Sequence, residues 1–262
     1  LAGGWGGHSY SSLIDGKKRS TGDTTSTELA GIPDCGNGNW AGNLDESIRI
    51  GDNANSNALT CINLPPFNYR PGTDVLEVRY ANPNAVVTLE AGVTYIQSNY
   101  SQGALFIGAT APTALEDAEN YELISHAYYI GDTSDADTTP ALRRVRLGAS
   151  AIVDELLLSN VEDLQVQLGV DTNEDDVVDF YYNPSDVSNN VTVTPNFSQV
   201  RSAQVWVVVR SENDEDAPVA TNSFTIAGET KTYGDADDRR RRVLVSSVMR
   251  TRNILPAITT AR

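Results

Sequence analysis

A chain of 262 residues with 40% hydrophobic content can bury a sizeable core, so one large folded domain over residues 1–262 is expected rather than disorder. Its 19 Lys and Arg stand against 35 Asp and Glu, a formal net charge of −16, which argues against a general nucleic-acid or anionic-membrane surface and points to protein, cation or solvent as partner. No stretch approaches the roughly 18 consecutive apolar residues that cross a bilayer, and the opening L-A-G-G-W-G-G has neither an initiator Met nor a secretory leader, so the sequence reads as a mature or truncated piece.

From Leu1 to about Pro71 the chain is rich in Gly, Ser, Thr and Asn, with short apolar patches such as Leu44–Ile50, and reads as loops with one or two short helices. Cys35 and Cys61 lie here, without the CxxC or nearby His that a metal site needs. A single disulfide between them is the expected arrangement, two reduced cysteines that never meet being the alternative. Such a bridge contributes on the order of 3 kcal/mol by restricting the unfolded chain, and it implies an oxidising compartment.

Strand signals begin at Asp74–Tyr80, where Leu76, Val78 and Tyr80 alternate with Val75, Glu77 and Arg79, and continue at Val86–Leu89, Gly92–Gln97 and Ala104–Ile107. Thr113 with Glu116 forms a capping box that predicts a short helix over Thr113–Asn120. Further strands are predicted at Glu122–Ile130, Ala141–Leu147, Ile152–Leu158, Val161–Val170, Val177–Tyr182, Ala203–Arg210, Ser223–Ala227 and Arg242–Arg250. The segments Asp132–Asp137 and Glu212–Asp216 read as solvated loops. Polar turns about every ten residues suit antiparallel packed or partly closed sheets, not βαβ units, so the fold class is mainly β.

Val161–Tyr182 joins two of these strands through an acidic loop. Asp171, Asn173, Asp175 and Asp179 fall at the first, third, fifth and ninth places of a calcium-loop pattern, whose alternate residues aim oxygens at one point. The competing reading is an acidic hairpin in which Asp and Asn supply turn chemistry.

Signals for catalysis are sparse. His8 and His126 are the available neutral-pH bases, and His126, beside Tyr128 and Tyr129 in a strand, reads as a buried, hydrogen-bonded histidine. No G-x-S-x-G, H-E-x-x-H or phosphate-loop sequence is present, and with this many acids, paired carboxylates are expected by chance. No enzymatic role is expected. Arg239–Arg242 follows Asp235, Asp237 and Asp238 and reads as local ion pairing, while Trp5, Trp40 and Trp206 read as packing residues.

Six segments in order carry a family likeness: L-A-G-G-W-G-G, D-V-L-E-V-R-Y at Asp74–Tyr80, S-H-A-Y-Y-I at Ser125–Ile130, A-L-R-R-V-R-L-G at Ala141–Gly148, V-E-D-L-Q-V-Q-L-G-V-D-T from Val161, and R-R-R-V-L-V-S-S-V-M-R-T-R-N ending at Asn253. Together they resemble the PilW family of type IV pilus minor pilins. The resemblance implies a pilin-like α+β head domain whose cleaved leader and long apolar N-terminal helix are absent from this sequence, with Leu1–Gly7 at the exit of that helix. It further implies a non-catalytic subunit that primes pilus assembly and sits at the tip, docked to other minor pilins, the major pilin and a tip adhesin. Its expected location is the periplasmic face of the inner membrane before assembly and the extracellular pilus afterwards, in a system that drives twitching.

The chain is also similar to the J-type minor pseudopilin of type II secretion, and a calcium-dependent surface adhesin is the binding-module alternative. In the acidic loop, where relatives read D-T-D-G-D-G-V-V-D, this chain reads D-T-N-E-D-D-V-V-D. Asp176 takes the place of the sixth-position glycine, and Tyr182 stands at the twelfth position in place of a bidentate Glu.

Overall fold

Alternation of apolar and polar residues becomes strand after strand in the computed structural model, which describes residues 4–5, 8–9, 32–35, 40–42, 48–53, 59–63, 68–98, 103–111, 118–173, 175–183, 199–219, 222–235 and 237–251. The strands are β1 (Gly4–Trp5), β2 (His8–Ser9), β3 (Ile48–Gly51), β4 (Val75–Ala85), β5 (Thr94–Ser98), β6 (Gly103–Ile107), β7 (Glu119–Ser134), β8 (Asp137–Leu147), β9 (Ile152–Ser159), β10 (Val161–Val170), β11 (Phe180–Tyr182), β12 (Val200–Arg210), β13 (Asn222–Ile226), β14 (Glu229–Tyr233) and β15 (Arg242–Arg250). Every pairing among them is antiparallel, as the mainly β reading requires. Among the described residues the one helical element is a 3-10 turn at Thr60–Ile62, and no helix is long and apolar enough to cross a membrane.

A seven-stranded sheet is organised around β7. Strands β4 and β3 lie on one side of it, while β5 with β6 and β8 with β9 occupy successive lengths of the other side. The second large sheet runs β11-β10-β12-β15, and β10 lies against β4, β7 and β8. Between the sheets sits a core of Ile48, Leu76, Ile130, Leu164, Val166, Leu168 and Ala203. The opposite face of the seven-stranded sheet, with Val75, Ala127, Tyr129 and Val145, is covered by Cys35, Trp40, Leu59 and Ile62 from the loop-rich segment. A disulfide joins Cys35 to Cys61 there, with their Cα atoms 5.0 Å apart. The β13–β14 hairpin closes the outer face of the four-stranded sheet, packing Ile226, Phe224 and Tyr233 on Trp206 and Val208.

Where the two sheets meet, buried polar groups take over from apolar packing. Asp74, at the start of β4, donates its backbone N–H to the Leu164 carbonyl at 2.8 Å and accepts the Val166 N–H on its carboxylate at 2.7 Å, so it satisfies part of the open edge of β10. The Asn53 N–H reaches the other carboxylate oxygen at 3.0 Å. Nearby, Asp163 receives Tyr233 and the Lys231 ammonium from the hairpin, and Lys231 also reaches the Asn53 side chain and the Gly72 carbonyl.

Burial, reinforced by Asp52 and opposed by the two N–H donors, pushes the Asp74 carboxyl up to about 8. The folded chain therefore holds a proton between about pH 4 and 8 that the unfolded chain releases, so this group's contribution to stability is largest below about pH 4 and falls as pH rises. Asp74→Asn is expected to gain stability relative to the parent as pH rises from 5 to 8, read as the difference in urea midpoints at the two pH values. A difference that stays constant across that range would remove Asp74 as the titrating group.

Several expectations need correction. Val86–Leu89 is not a strand: β4 ends at Ala85, the next residues bend, and Val87 is 97% exposed. Asp132–Asp137 is the tip of the β7–β8 hairpin: Ser134–Asp137 are exposed as a solvated turn, whereas Asp132 is buried against Arg70 and Asn68. Of Val177–Tyr182, Phe180–Tyr182 alone pairs with β10, because the residues before it close the acidic turn. The helix at Thr113–Asn120 lies largely outside the described residues, and its described end, Glu119 and Asn120, opens β7. Strands β3 and β14 were not anticipated. The side chains of Trp5 and His8 lie outside the described residues.

Candidate docking edges and the acidic loop

The sequence R-V-L-V-S-S-V-M-R gives β15 apolar residues on both faces, the pattern of a strand covered on both sides. Its position denies it that cover. Strand β15 pairs with β12 over nine residue pairs and, among the described residues, ends the four-stranded sheet. Leu244 packs toward Trp206, whereas Val243, Val245, Val248 and Met249 face solvent, Val245 at 52% and Val248 at 57% exposure. The row of Val205, Val207 and Val209 on β12 is half-buried against the intersheet core, and Val243 and Val245 extend that apolar face outward.

The seven-stranded sheet has a comparable edge in β9. A bulge opposite Leu142 and Arg143 leaves Leu157 as the extra residue, and Leu156, Leu157 and Leu158 are all exposed. Long apolar edges invite strand pairing with another chain, and natural proteins usually blunt them with inward-pointing charge or proline. The arginines of β15 stand at its two ends and leave its middle open.

The basic run before β15 pairs chiefly with a different acidic segment from the one beside it. Arg240 meets Asp214 at 3.1 Å and Arg241 meets Glu215 at 2.8 Å, so the Glu212–Asp216 loop answers the arginines. Arg242 joins Glu162 at 2.6 Å and Asp238 at 2.5 Å. His126 is half-buried, with edge-on contacts to Tyr80 and Tyr128, and burial followed by the nearby Arg144 charge pushes its pKa down to about 4. It is therefore neutral near pH 7.

In the acidic loop the four predicted residues differ in burial and in hydrogen-bond partners. Asp171 is fully buried, with its two carboxylate oxygens accepting the backbone N–H groups of Asp175 and Asp176 at 3.3 and 2.9 Å. Asn173 and Asp175 are exposed and bond to one another, and the Asp175 carboxylate accepts the Val177 N–H at 2.9 Å. Asp179 turns instead to the Thr172 N–H and hydroxyl, at 2.7 and 2.5 Å, which hold its carboxyl below the usual carboxylate range. Among the described residues no group of three or more His, Cys, Asp and Glu side chains is arranged to hold a metal ion.

What sequence reasoning missed is Arg201 on β12, whose Nε lies 3.0 Å from Asp171 and 3.1 Å from Asp176. Arg201 thus sets a guanidinium against the buried carboxylate at the first position of the loop. The signal was available in V-R-S-A-Q-V-W: an arginine inside a strand buried on both faces demands an acidic partner.

Residues 127–253, from β7 through β15, match the family model for PilW, the type IV pilus-assembly protein W. Over that span, just under half of the chain, the sequence is similar to that family. The match spans both apolar edges and the acidic loop, and it supports involvement in type IV pilus assembly. No curated protein and no solved structure matches the chain.

Proposed function

We propose that this PilW-type chain is the head of a minor pilin that helps to prime the type IV pilus, stays at its tip, and acts by docking other pilins without catalysing a reaction. The observation that carries this reading is β15, an open sheet edge with exposed valines that lies within the span matching a pilus-assembly family. An edge strand accepts a partner strand through its backbone N–H and C=O groups, and alternate side chains set the fit. The proposed occupant is accordingly an edge strand on the head of a neighbouring minor pilin, met at the periplasmic face of the inner membrane and carried into the pilus.

Val245→Lys combined with Val248→Lys tests it. Both side chains are more than half exposed, so the melting temperature is expected to hold within about 2 °C. Association with purified heads of the minor pilins encoded nearby is expected to weaken about tenfold or more. In a clean deletion strain the parent gene should restore surface pili and twitching, and the variant should fail. Normal piliation of the deletion strain would overturn the assembly role, and full rescue by the variant would move docking away from β15.

A further inference from the structure

The acidic loop carries a second inference, independent of the pilus reading. In a loop of this pattern the cation neutralises inward-facing carboxylates and holds the turn closed. Here that place is already filled from within the chain. Asp171, with no solvent exposure, faces the buried Arg201 guanidinium at 3.0 Å. Asp176, at the sixth position, adopts a φ of 65°, the left-handed region that favours glycine, and its carboxylate closes on the same Arg201 Nε at 3.1 Å. From the neighbouring strand Arg250 reaches the Asp176 carbonyl at 3.4 Å. The Asp176 side chain is 81% exposed, so this second contact is screened by water and Asp171 is the buried partner of Arg201.

We infer that Arg201 is the resident cation of this loop, so that the loop closes without calcium and a divalent ion placed at Asp171 would meet a like charge. Strands β12 and β15, which supply Arg201 and Arg250, are the strands that form the exposed apolar edge, so the edge is set independently of any ion.

The test is thermal unfolding of the chain of residues 1–262 in excess EGTA and in millimolar calcium, with magnesium as control. The parent is expected to melt at the same temperature in all three. Arg201→Gln removes the partner of a buried carboxylate and should lower the melting temperature in EGTA by about 10 °C. Isothermal titration of calcium into the folded parent should give no heat of binding. A calcium-specific rise in the parent's melting temperature, a saturable binding heat, or an Arg201→Gln variant as stable as the parent would each overturn the inference.

Discussion

Glu77→Ala is expected to lower the stability of the chain by about 3–5 kcal/mol, which at this size moves the melting temperature down by roughly 6–20 °C. Glu77 and Arg79 sit two residues apart on β4, on its covered face, and each side chain is 1% exposed. Their ion pair is joined by a bond from Arg79 Nε to the Trp40 carbonyl, which ties the loop-rich segment to the sheet. Ser125 makes a parallel tie to the Ala41 carbonyl at 3.1 Å. Removing the carboxylate takes from a buried guanidinium its acidic partner on the same strand. Much of the cost falls on a buried guanidinium that loses this carboxylate, so Glu77→Ala with Arg79→Met should recover part of the loss. Urea unfolding of the parent, both single variants and the double variant measures this; a single variant with the parent's midpoint would show that Arg79 escapes to water.

Opening the disulfide is the second large perturbation. Cys35→Ser with Cys61→Ser is expected to cost about 3 kcal/mol, since the bridge spans a sequence separation of 26 and restricts the unfolded chain accordingly. Reduction of the parent with dithiothreitol should give the same decrease. Cys35 is fully buried among Trp40, Leu59 and Ile62, so the loss falls on the segment that also receives Arg79. The Glu77 and cysteine variants should therefore combine less than additively. A reduced chain with unchanged stability would mean that packing alone holds the segment in place.

Much of the sheet framework was legible because β-strand alternation is a local signal. Val161–Val170 was placed residue for residue as β10, and Arg242–Arg250 as β15. Glu229–Tyr233 escaped notice because E-T-K-T-Y carries no apolar face; it becomes a strand by pairing with β13, and its Lys231 and Tyr233 serve polar groups elsewhere. Ile48–Gly51 was hidden by brevity within a loop-rich region and is defined by its partner β4. Val86–Leu89 misled in the opposite sense, since two adjacent valines suggest a strand whether or not a neighbour exists.

For the docking edges, composition told which segments are strands but not that β9 and β15 end their sheets, because edge position belongs to topology. The acidic loop lies between β10 and β11, yet the arginine that meets it lies on β12, about thirty residues on, and no local pattern connects them.

The ion pairs have a consequence for how such molecules meet. Arg143 with Asp154, Arg201 with Asp171, Arg242 with Glu162, and Arg144 and Arg146 with Glu155 consume both signs together, and the excess of −16 stays unneutralised. Identical or similarly acidic heads brought side by side are like-charged bodies, and their repulsion reaches a Debye length of about 8 Å at physiological ionic strength. Crowding them together is a charging process that short-ranged apolar contact must outweigh, and it becomes easier in brine than in fresh water.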